Sequence, residues 1–233
     1  MMAMLLAAGR GERMRPLTDH IPKPLLMAGG KPLIVWHIER LARAGITGLV
    51  VNHAHLGTQI ENALGDGNSY DVRIRYSPEH PSALETAGGI AHALHLLGSQ
   101  PFAVINSDIY CDYPFTCLAA RAAALRAGND AAHLVLVNNP AHHPDGDFSL
   151  RHGRVTSDTP RLTFSGIGIY QPELFRHILR GTAAPLAPLL RAQIALGKVS
   201  GEHYDGRWVD VGTPQRLEEL DKQLRASQNS GHA

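Results

Sequence analysis

A segment near the start of the chain combines glycine with positive charge, a combination that suits the binding of phosphate groups. Gly9, Gly11 and Arg13 follow the apolar residues 2–8, and Lys23 stands between two prolines. Glycine allows backbone N–H groups to approach phosphate oxygens without a Cβ atom in the way. The planar guanidinium of Arg13 matches a phosphate, and the prolines restrict where the Lys23 ammonium can go. We therefore expect this segment to bind a phosphorylated ligand.

The same segment begins like a dinucleotide-binding fingerprint but does not complete it. That fingerprint needs a third glycine where this chain has Met14. It also needs an acidic residue at the end of the second strand, where this chain has Asn52 and His53. The sequence contains no Gly-x4-Gly-Lys-Ser/Thr motif either. A nicotinamide-dependent dehydrogenase is therefore disfavoured.

Two aspartates stand at the ends of apolar runs and could hold a metal ion. Asp108 follows the run 102–106, and Asp210 ends a short run before Val211 and Gly212. Carboxylate and phosphate oxygens are the ligands that Mg²⁺ prefers, although an aspartate at such a position can also cap a turn. Together with the glycine-rich segment, the pair favours metal binding beside a phosphate.

The elements that must position these residues alternate between strand and helix as far as residue 137. Apolar runs predict strands at 2–8, 48–52, 72–76, 102–106 and 132–137. Helical spacing and terminal glycines predict helices at 31–45, 55–64, 88–97 and 114–127. This order predicts a single α/β domain with a mostly parallel central sheet and helices on both faces.

After Asn138 the alternation of strand and helix breaks. The later elements are predicted as a hairpin at 147–156, a strand at 162–170, helices from Pro172 and Ala187, strands at 199–204 and 207–211, and a helix from Thr213 to about Leu224. The last residues, 226–233, are small and polar and predict a flexible tail.

Composition narrows the class of protein. The chain has 233 residues, of which 44% are hydrophobic, and a formal net charge of +1, so it is globular and lacks a broad basic footprint for nucleic acid. It has no apolar run near the ~20 residues that cross a bilayer and no basic signal-peptide start. Its two cysteines, Cys111 and Cys117, suit a reducing compartment, and its histidines show no zinc spacing. We expect a cytoplasmic protein that binds neither nucleic acid nor membranes.

Five segments, in the expected order, resemble the signature of sugar-1-phosphate nucleotidyltransferases. They are LAAGRGERMRPLT with PKPL (6–25), LETAGGI (84–90), INSD (105–108), FSGIGIY (164–170) and GRWVDVGTPQRL (206–217). The likeness covers nearly the whole chain. It implies a Rossmann-like, GT-A-like domain over 1–225, with a nucleotide-binding half of about 1–137, a sugar-binding half of 138–225 that includes a small β insertion, and a tail at 226–233.

Within that family, three further segments resemble the compact uridylyltransferases that act on N-acetylmuramate-1-phosphate in cell-wall recycling. They are RIRYSPE, HLVLVNNPAHHPDGDF and GKVSGEHYDGRWVDVGT. The resemblance implies UTP and a sugar-1-phosphate as substrates, Mg²⁺ as cofactor, and a monomer or small homo-oligomer. Two residues depart from the family's pattern: Ser107 stands where glycine is usual, and Asn138 stands where an acidic residue is expected.

The resemblance also implies a role for the residues of the matching motifs. Arg13 and Lys23 would be catalytic, and Asp108 and Asp210 would hold the metal. The nucleotide would lie against Leu6, Ala7, Ala8, Gly9, Gly11, Glu12, Arg13, Lys23, Glu85, Thr86, Gly88 and Asn106. The sugar would lie against Asn138, Asp147, Thr163 and Glu202.

Other functions stay open from the sequence. A mannose-1-phosphate guanylyltransferase would need an acceptor for the exocyclic amine of guanine, which Glu85 could supply. A non-catalytic nucleotide-sugar sensor would need neither metal carboxylate. For a muramate sugar, the lactyl carboxylate would need a cation, and the candidates are Arg161, His142 and His143.

Overall fold

The computed structural model describes residues 1–230, and their side chains as far as residue 228. The strands are β1 (Met2–Leu6), β2 (Met27–Ala28), β3 (Lys31–Pro32), β4 (Gly48–His53), β5 (Arg73–Pro78), β6 (Phe102–Asn106), β7 (Ile109–Cys111), β8 (Ala132–Val137), β9 (Ser149–Arg151), β10 (Arg154–Thr156), β11 (Thr163–Tyr170), β12 (Val199–Tyr204) and β13 (Trp208–Asp210). The α-helices are α1 (Leu33–Arg43), α2 (Gly57–Leu64), α3 (Glu85–Leu97), α4 (Leu118–Ala127), α5 (Leu186–Ala195) and α6 (Pro214–Ser230).

A nine-stranded sheet in the order β5-β4-β1-β6-β11-β8-β12-β10-β9 forms the centre of the molecule. The first four strands are parallel, and β12 is parallel to β8. Strand β11 lies between β6 and β8 and is antiparallel to both. The mostly parallel sheet is therefore confirmed. The reversal at β11 follows from its connection, since β8 reaches it through the hairpin β9–β10 rather than through a crossover helix.

Helices cover both faces of this sheet, as predicted. Successive side chains of a strand point to opposite faces, and β1 illustrates the result. Ala3 and Leu5 pack in one core with residues of α1, α2 and α4, whereas Met4 packs in a second core with residues of α3 and α5. Burial on both faces explains why the central strands are continuous apolar runs.

Several predicted helices differ in the structure. Helix α1 begins at Leu33 because Lys31–Pro32 pairs with Met27–Ala28 in a two-stranded sheet. Helix α3 begins at Glu85, three residues before the predicted start. The segment Pro172–Phe175 forms a single 3-10 turn rather than a full helix.

Helix α6 continues to Ser230, well past the predicted end near Leu224. Its far end is held by the turn at Gly29, which donates its N–H to Asp221 and accepts a hydrogen bond from Gln228. The first five residues of the predicted tail are therefore helical, and the predicted tail residues 231–233 lie outside the described part of the chain. No helix within residues 1–230 is long and apolar enough to cross a membrane.

Candidate active site

Two connected clefts lie where the central parallel strands end, the edge at which α/β sheets bind their ligands. The inner cleft encloses about 210 Å³ and is lined by Leu6, Ala7, Ala8, Gly9, Lys23, Pro24, Asn52, Glu79, Ala83, Glu85, Thr86, Asn106, Ser107 and Asp108. The outer cleft encloses about 390 Å³ and is lined by Arg13, Asn106, Asp108, Ile109, Pro140, His142, His143, Thr163, Phe164, Ser165, Trp208 and Asp210. Asn106 and Asp108, at the end of β6, line both clefts.

The glycine-rich segment forms one wall of the inner cleft. Its first residues continue from β1, and the Ala7 N–H donates to Asn52 Oδ1 at 2.8 Å. Further along, the Thr18 hydroxyl donates to the Gly11 carbonyl at 2.9 Å, which folds the loop back on itself. The predicted residues Leu6 to Gly9 line the inner cleft, Arg13 lines the outer cleft, and Gly11 and Glu12 line neither.

A buried carboxylate that the sequence analysis missed supports this wall. Glu79 is 1% exposed, and its two oxygens accept hydrogen bonds from Asn52 Nδ2 and from the Leu84 N–H, each at 2.6 Å. A continuous chain of hydrogen bonds therefore runs from Ala7 through Asn52 and Glu79 to the start of α3. Asn52 at the end of the second strand was a visible signal, because a polar residue rarely follows a buried apolar run without a partner.

Lys23 and Asp108 form an ion pair where the two clefts meet. Lys23 Nζ donates to Asp108 Oδ2 at 2.6 Å, and the lysine side chain is 9% exposed. Lys23 begins a 3-10 turn that starts after Pro22, which supports the predicted rigidity of this segment. A buried ammonium is costly to leave unpaired, so Asp108 compensates the charge of Lys23 beside the cleft.

The second predicted metal aspartate lies next to the first through a small two-stranded sheet. Strand β13 pairs with β7 so that Asp210 is opposite Ile109, and the Val211 N–H donates to the Asp108 carbonyl at 3.0 Å. Asp210 Oδ2 accepts from Arg216 Nη1 at 2.5 Å and lies 3.1 Å from His142 Nε2. The fold thus brings Asp108 and Asp210 to one cleft, each with a cation against it.

These two carboxylates fit a magnesium ion. Within residues 1–230, no group of three or more His, Cys, Asp or Glu side chains is gathered closely enough to hold a metal by itself. Magnesium, however, is commonly bound by one or two carboxylates together with substrate phosphates and water. Lys23 and Arg216, which pair with Asp108 and Asp210, show that the two carboxylates attract positive charge.

The start of α3 forms the opposite wall of the inner cleft. Glu85 and Thr86 both line it, and Glu85 has a left-handed backbone with a φ of 57°. A left-handed glutamate costs roughly 1–3 kcal/mol, and such residues cluster at functional sites. Gly88 requires a correction, because it is buried in packing and does not line the cleft. A Cβ atom there would lie 2.3 Å from the Thr182 carbonyl.

The four predicted sugar-binding residues are not brought together. Thr163 lines the outer cleft. Asp147 lines neither cleft, but its Oδ2 accepts the N–H of Phe164, which lines the outer cleft, at 2.8 Å. Asn138 and Glu202 line neither cleft, and Asn138 Oδ1 lies 3.0 Å from His203 Nε2.

Glu202 takes part in a structural cluster instead of facing a sugar. Its carboxylate accepts from the Tyr113 hydroxyl at 2.5 Å and from Arg121 Nη2 at 2.6 Å, and lies 3.3 Å from His133 Nε2. Burial raises the pKa of Glu202, but the hydrogen bonds from His133, Arg121 and Tyr113 outweigh burial and bring the pKa down to about 2. Both oxygens of this carboxylate thus have partners within the fold.

Ser107, which stands where glycine is usual in the family, is accommodated by a hydrogen bond within the fold. Its hydroxyl donates to the Leu6 carbonyl at 2.5 Å and the residue is 1% exposed. The side chain is thereby directed towards β1, although the residue still contributes to the lining of the inner cleft. Trp208 lines the outer cleft and donates its indole N–H to the Ser165 carbonyl at 2.9 Å.

Comparison with known proteins agrees with this arrangement. The family described as Nucleotidyl transferase matches residues 2–146. A protein of Neisseria meningitidis serogroup B, named N-acetylmuramate alpha-1-phosphate uridylyltransferase, is 56% identical over 94% of this chain and 96% of its own length. A mannose-1-phosphate guanyltransferase of Aspergillus fumigatus is 33% identical over 92% of this chain and 62% of its own length.

The fold also matches solved structures. A crystal structure of a proposed glucose-1-phosphate thymidylyltransferase from Bacillus anthracis superposes with a TM-score of 0.84, covering 97% of this chain and 96% of that one, at 19% identity. At that level of identity the likeness concerns the fold alone. It agrees with the predicted single-domain α/β architecture.

Proposed function

Because this chain belongs to the nucleotidyl transferase family, we propose that it transfers a uridylyl group from UTP to N-acetylmuramic acid α-1-phosphate, giving UDP-N-acetylmuramate and pyrophosphate. The name of the Neisseria meningitidis relative, which is 56% identical over 94% of the chain, supports the choice of base and sugar. The reaction would return the sugar to nucleotide-activated form during peptidoglycan recycling.

The observation that carries the proposal is the junction of the two clefts at Asn106 and Asp108. A nucleotide in the inner cleft would place its phosphates along the glycine-rich segment. A sugar phosphate in the outer cleft would then meet the α-phosphorus at this junction. Holding two reactants in one geometry removes much of the entropic barrier to their reaction.

The chemistry requires positioning and charge more than proton transfer. An oxygen of the sugar-1-phosphate, already anionic at neutral pH, forms a bond to the α-phosphorus, the bond from that phosphorus to the bridging oxygen breaks, and pyrophosphate leaves with the electron pair. Lys23 would bind the phosphate at the junction, and Arg13 would stabilise the charge that develops on pyrophosphate. Arg13 is suited to this role because its guanidinium has no hydrogen-bond or ion-pair partner within the described residues.

Asp108 and Asp210 would hold Mg²⁺, which when bound neutralises phosphate charge and orients the phosphates. Before it binds, Lys23 and Arg216 keep these carboxylates compensated. We further propose a cytoplasmic location, because Cys111 and Cys117 are both free thiols, which a reducing compartment preserves.

The deciding experiment is pyrophosphate release by the purified protein on a grid of nucleotides and sugar-1-phosphates. We expect turnover with Mg²⁺ for UTP and N-acetylmuramic acid α-1-phosphate, and its loss on addition of EDTA. Turnover only with GTP and mannose-1-phosphate would replace the proposed substrates and keep the reaction. If the protein bound nucleotide but turned over none of the substrate pairs, the result would favour a non-catalytic nucleotide-sugar sensor.

The metal assignment is tested by Asp108→Asn and Asp210→Asn, with Asp158→Asn as the matched control. Asp158 is exposed and pairs with Arg151 away from both clefts. We expect each of the first two variants to lower kcat by about 100-fold or more, the size typical of a lost electrostatic group in an active site. Unchanged turnover in a folded Asp210→Asn variant would contradict the assignment.

A further inference from the structure

An acidic sugar faces an electrostatic problem in the outer cleft. N-acetylmuramate differs from N-acetylglucosamine by a lactyl ether that ends in a carboxylate. Two carboxylates, Asp108 and Asp210, already line the cleft. Like charges at short range repel strongly where solvent is partly excluded. Recognition of this sugar therefore calls for a cation close to the outer cleft.

The other permanent cations of this region are paired or have another proposed role. Lys23 is paired with Asp108. Arg13 lines the outer cleft, but the proposed mechanism assigns its guanidinium to the departing pyrophosphate. Arg161, a candidate from the sequence, folds onto its own loop and donates to the Asp158 and Ser157 carbonyls at 3.3 and 3.4 Å.

Arg216 has both the position and the spare donors. Its Nη1 donates to Asp210 Oδ2 at 2.5 Å and lies 2.8 Å from His142 Nε2, so the guanidinium lies against two residues of the cleft wall. Its Nη2 has no hydrogen-bond partner within the described residues and is not sealed from solvent. A guanidinium can bind a carboxylate through parallel hydrogen bonds, which a single ammonium cannot do.

The surrounding structure accommodates this arginine at a cost. Arg216 is the third residue of α6, at the end of the helix where the macrodipole disfavours a cation. The loop before the helix leaves room for it at Gly212, where a Cβ atom would lie 2.5 Å from Arg216 Nη2. A helix-stabilising role therefore does not account for a cation at this position.

From these observations we propose that Arg216 is a specificity-determining residue that binds the lactyl carboxylate of the acceptor sugar. The proposal rests on the proposed function and deepens it, because it assigns the recognition of the acidic substituent to one side chain. His142 lines the outer cleft and lies beside the guanidinium, so the two together form the anion-binding end of the sugar site.

The test compares two acceptors that differ only in the lactyl group, N-acetylmuramic acid α-1-phosphate and N-acetylglucosamine-1-phosphate, each with UTP. For Arg216→Gln we expect the ratio of kcat/KM for the muramate to kcat/KM for the glucosamine to fall about 10- to 100-fold relative to the wild type. Arg216→Lys should recover part of the difference. The matched control is Arg225→Gln on the same helix. The Arg225 side chain pairs with Asp221 and is 60% exposed.

A binding measurement separates recognition from catalysis. Titration calorimetry of UDP-N-acetylmuramate and UDP-N-acetylglucosamine in metal-free buffer should show the same selective loss in Arg216→Gln. An equal loss for both sugars would overturn the proposal and leave Arg216 as a support for Asp210. If the wild-type enzyme used another sugar and not the muramate, the proposed function itself would fail. If it used both sugars equally well, only the proposed role of Arg216 would fail.

Discussion

Replacing Glu79 by glutamine tests whether the buried hydrogen-bond chain supports the inner cleft. Both oxygens of Glu79 accept hydrogen bonds at 2.6 Å, one from Asn52 Nδ2 and one from the Leu84 N–H. Glutamine has the same shape but replaces one oxygen by an NH₂ group. In either orientation of the amide, one of the two donors then faces another donor in a site that is 1% exposed.

The magnitude follows from one unsatisfied buried donor and one lost charge-assisted hydrogen bond. An unsatisfied buried polar group costs about 1–3 kcal/mol, and a hydrogen bond to a charged group contributes about 1.5–3 kcal/mol. Because these two quantities overlap, we expect the free energy of unfolding to fall by about 2–3 kcal/mol. For a chain of 233 residues, that corresponds to a Tm lower by about 5–10 °C.

The assay is thermal and urea denaturation followed by circular dichroism at neutral pH, together with the KM for UTP. Asn52 also holds the Ala7 N–H, so the KM should rise along with the loss of stability. Glu218→Gln is the control, since Glu218 is an exposed partner of Lys222 and should change Tm by less than about 2 °C. A Tm and a KM for Glu79→Gln equal to those of the wild type would refute the reasoning.

Three further predictions concern packing, the binding of UTP and the dependence of stability on pH. Gly88→Ala should destabilise the fold by about 1–3 kcal/mol in urea denaturation, because its Cβ would overlap the Thr182 carbonyl. Gly9→Ala, with open space around the added Cβ, should keep its stability and raise the KM for UTP; a destabilised Gly9→Ala would contradict this. The pKa of Glu202 is lowered to about 2, so its contribution to stability is complete above about pH 4.5 and is lost as the pH falls towards 2. Wild type should therefore lose about 1–2 kcal/mol more than Glu202→Gln between pH 5 and pH 2, after allowance for solvent screening; parallel pH curves would argue against the cluster.

Local patterns in the sequence determined much of the fold. The strands at 102–106 and 132–137 were predicted at the bounds that the structure shows, because apolar runs bounded by turn residues are set by neighbours along the chain. The three-residue strand β7 was missed, since it is too short to show periodicity. Its pairing with β13 nevertheless decides where Asp210 lies.

The sequence by itself also determined which residue types could bind phosphate and metal, since the glycines, Arg13, Lys23 and the two aspartates are visible as motifs. Only the tertiary structure decided their partners. Lys23 meets Asp108 across 85 residues, and Tyr113 meets Glu202 across 89. Such contacts leave no local pattern, because the groups are complementary only after the sheet has aligned distant strand ends. For the same physical reason, Glu202 was expected to face a sugar and instead satisfies buried donors, whereas Arg216 had no role until folding placed it against Asp210.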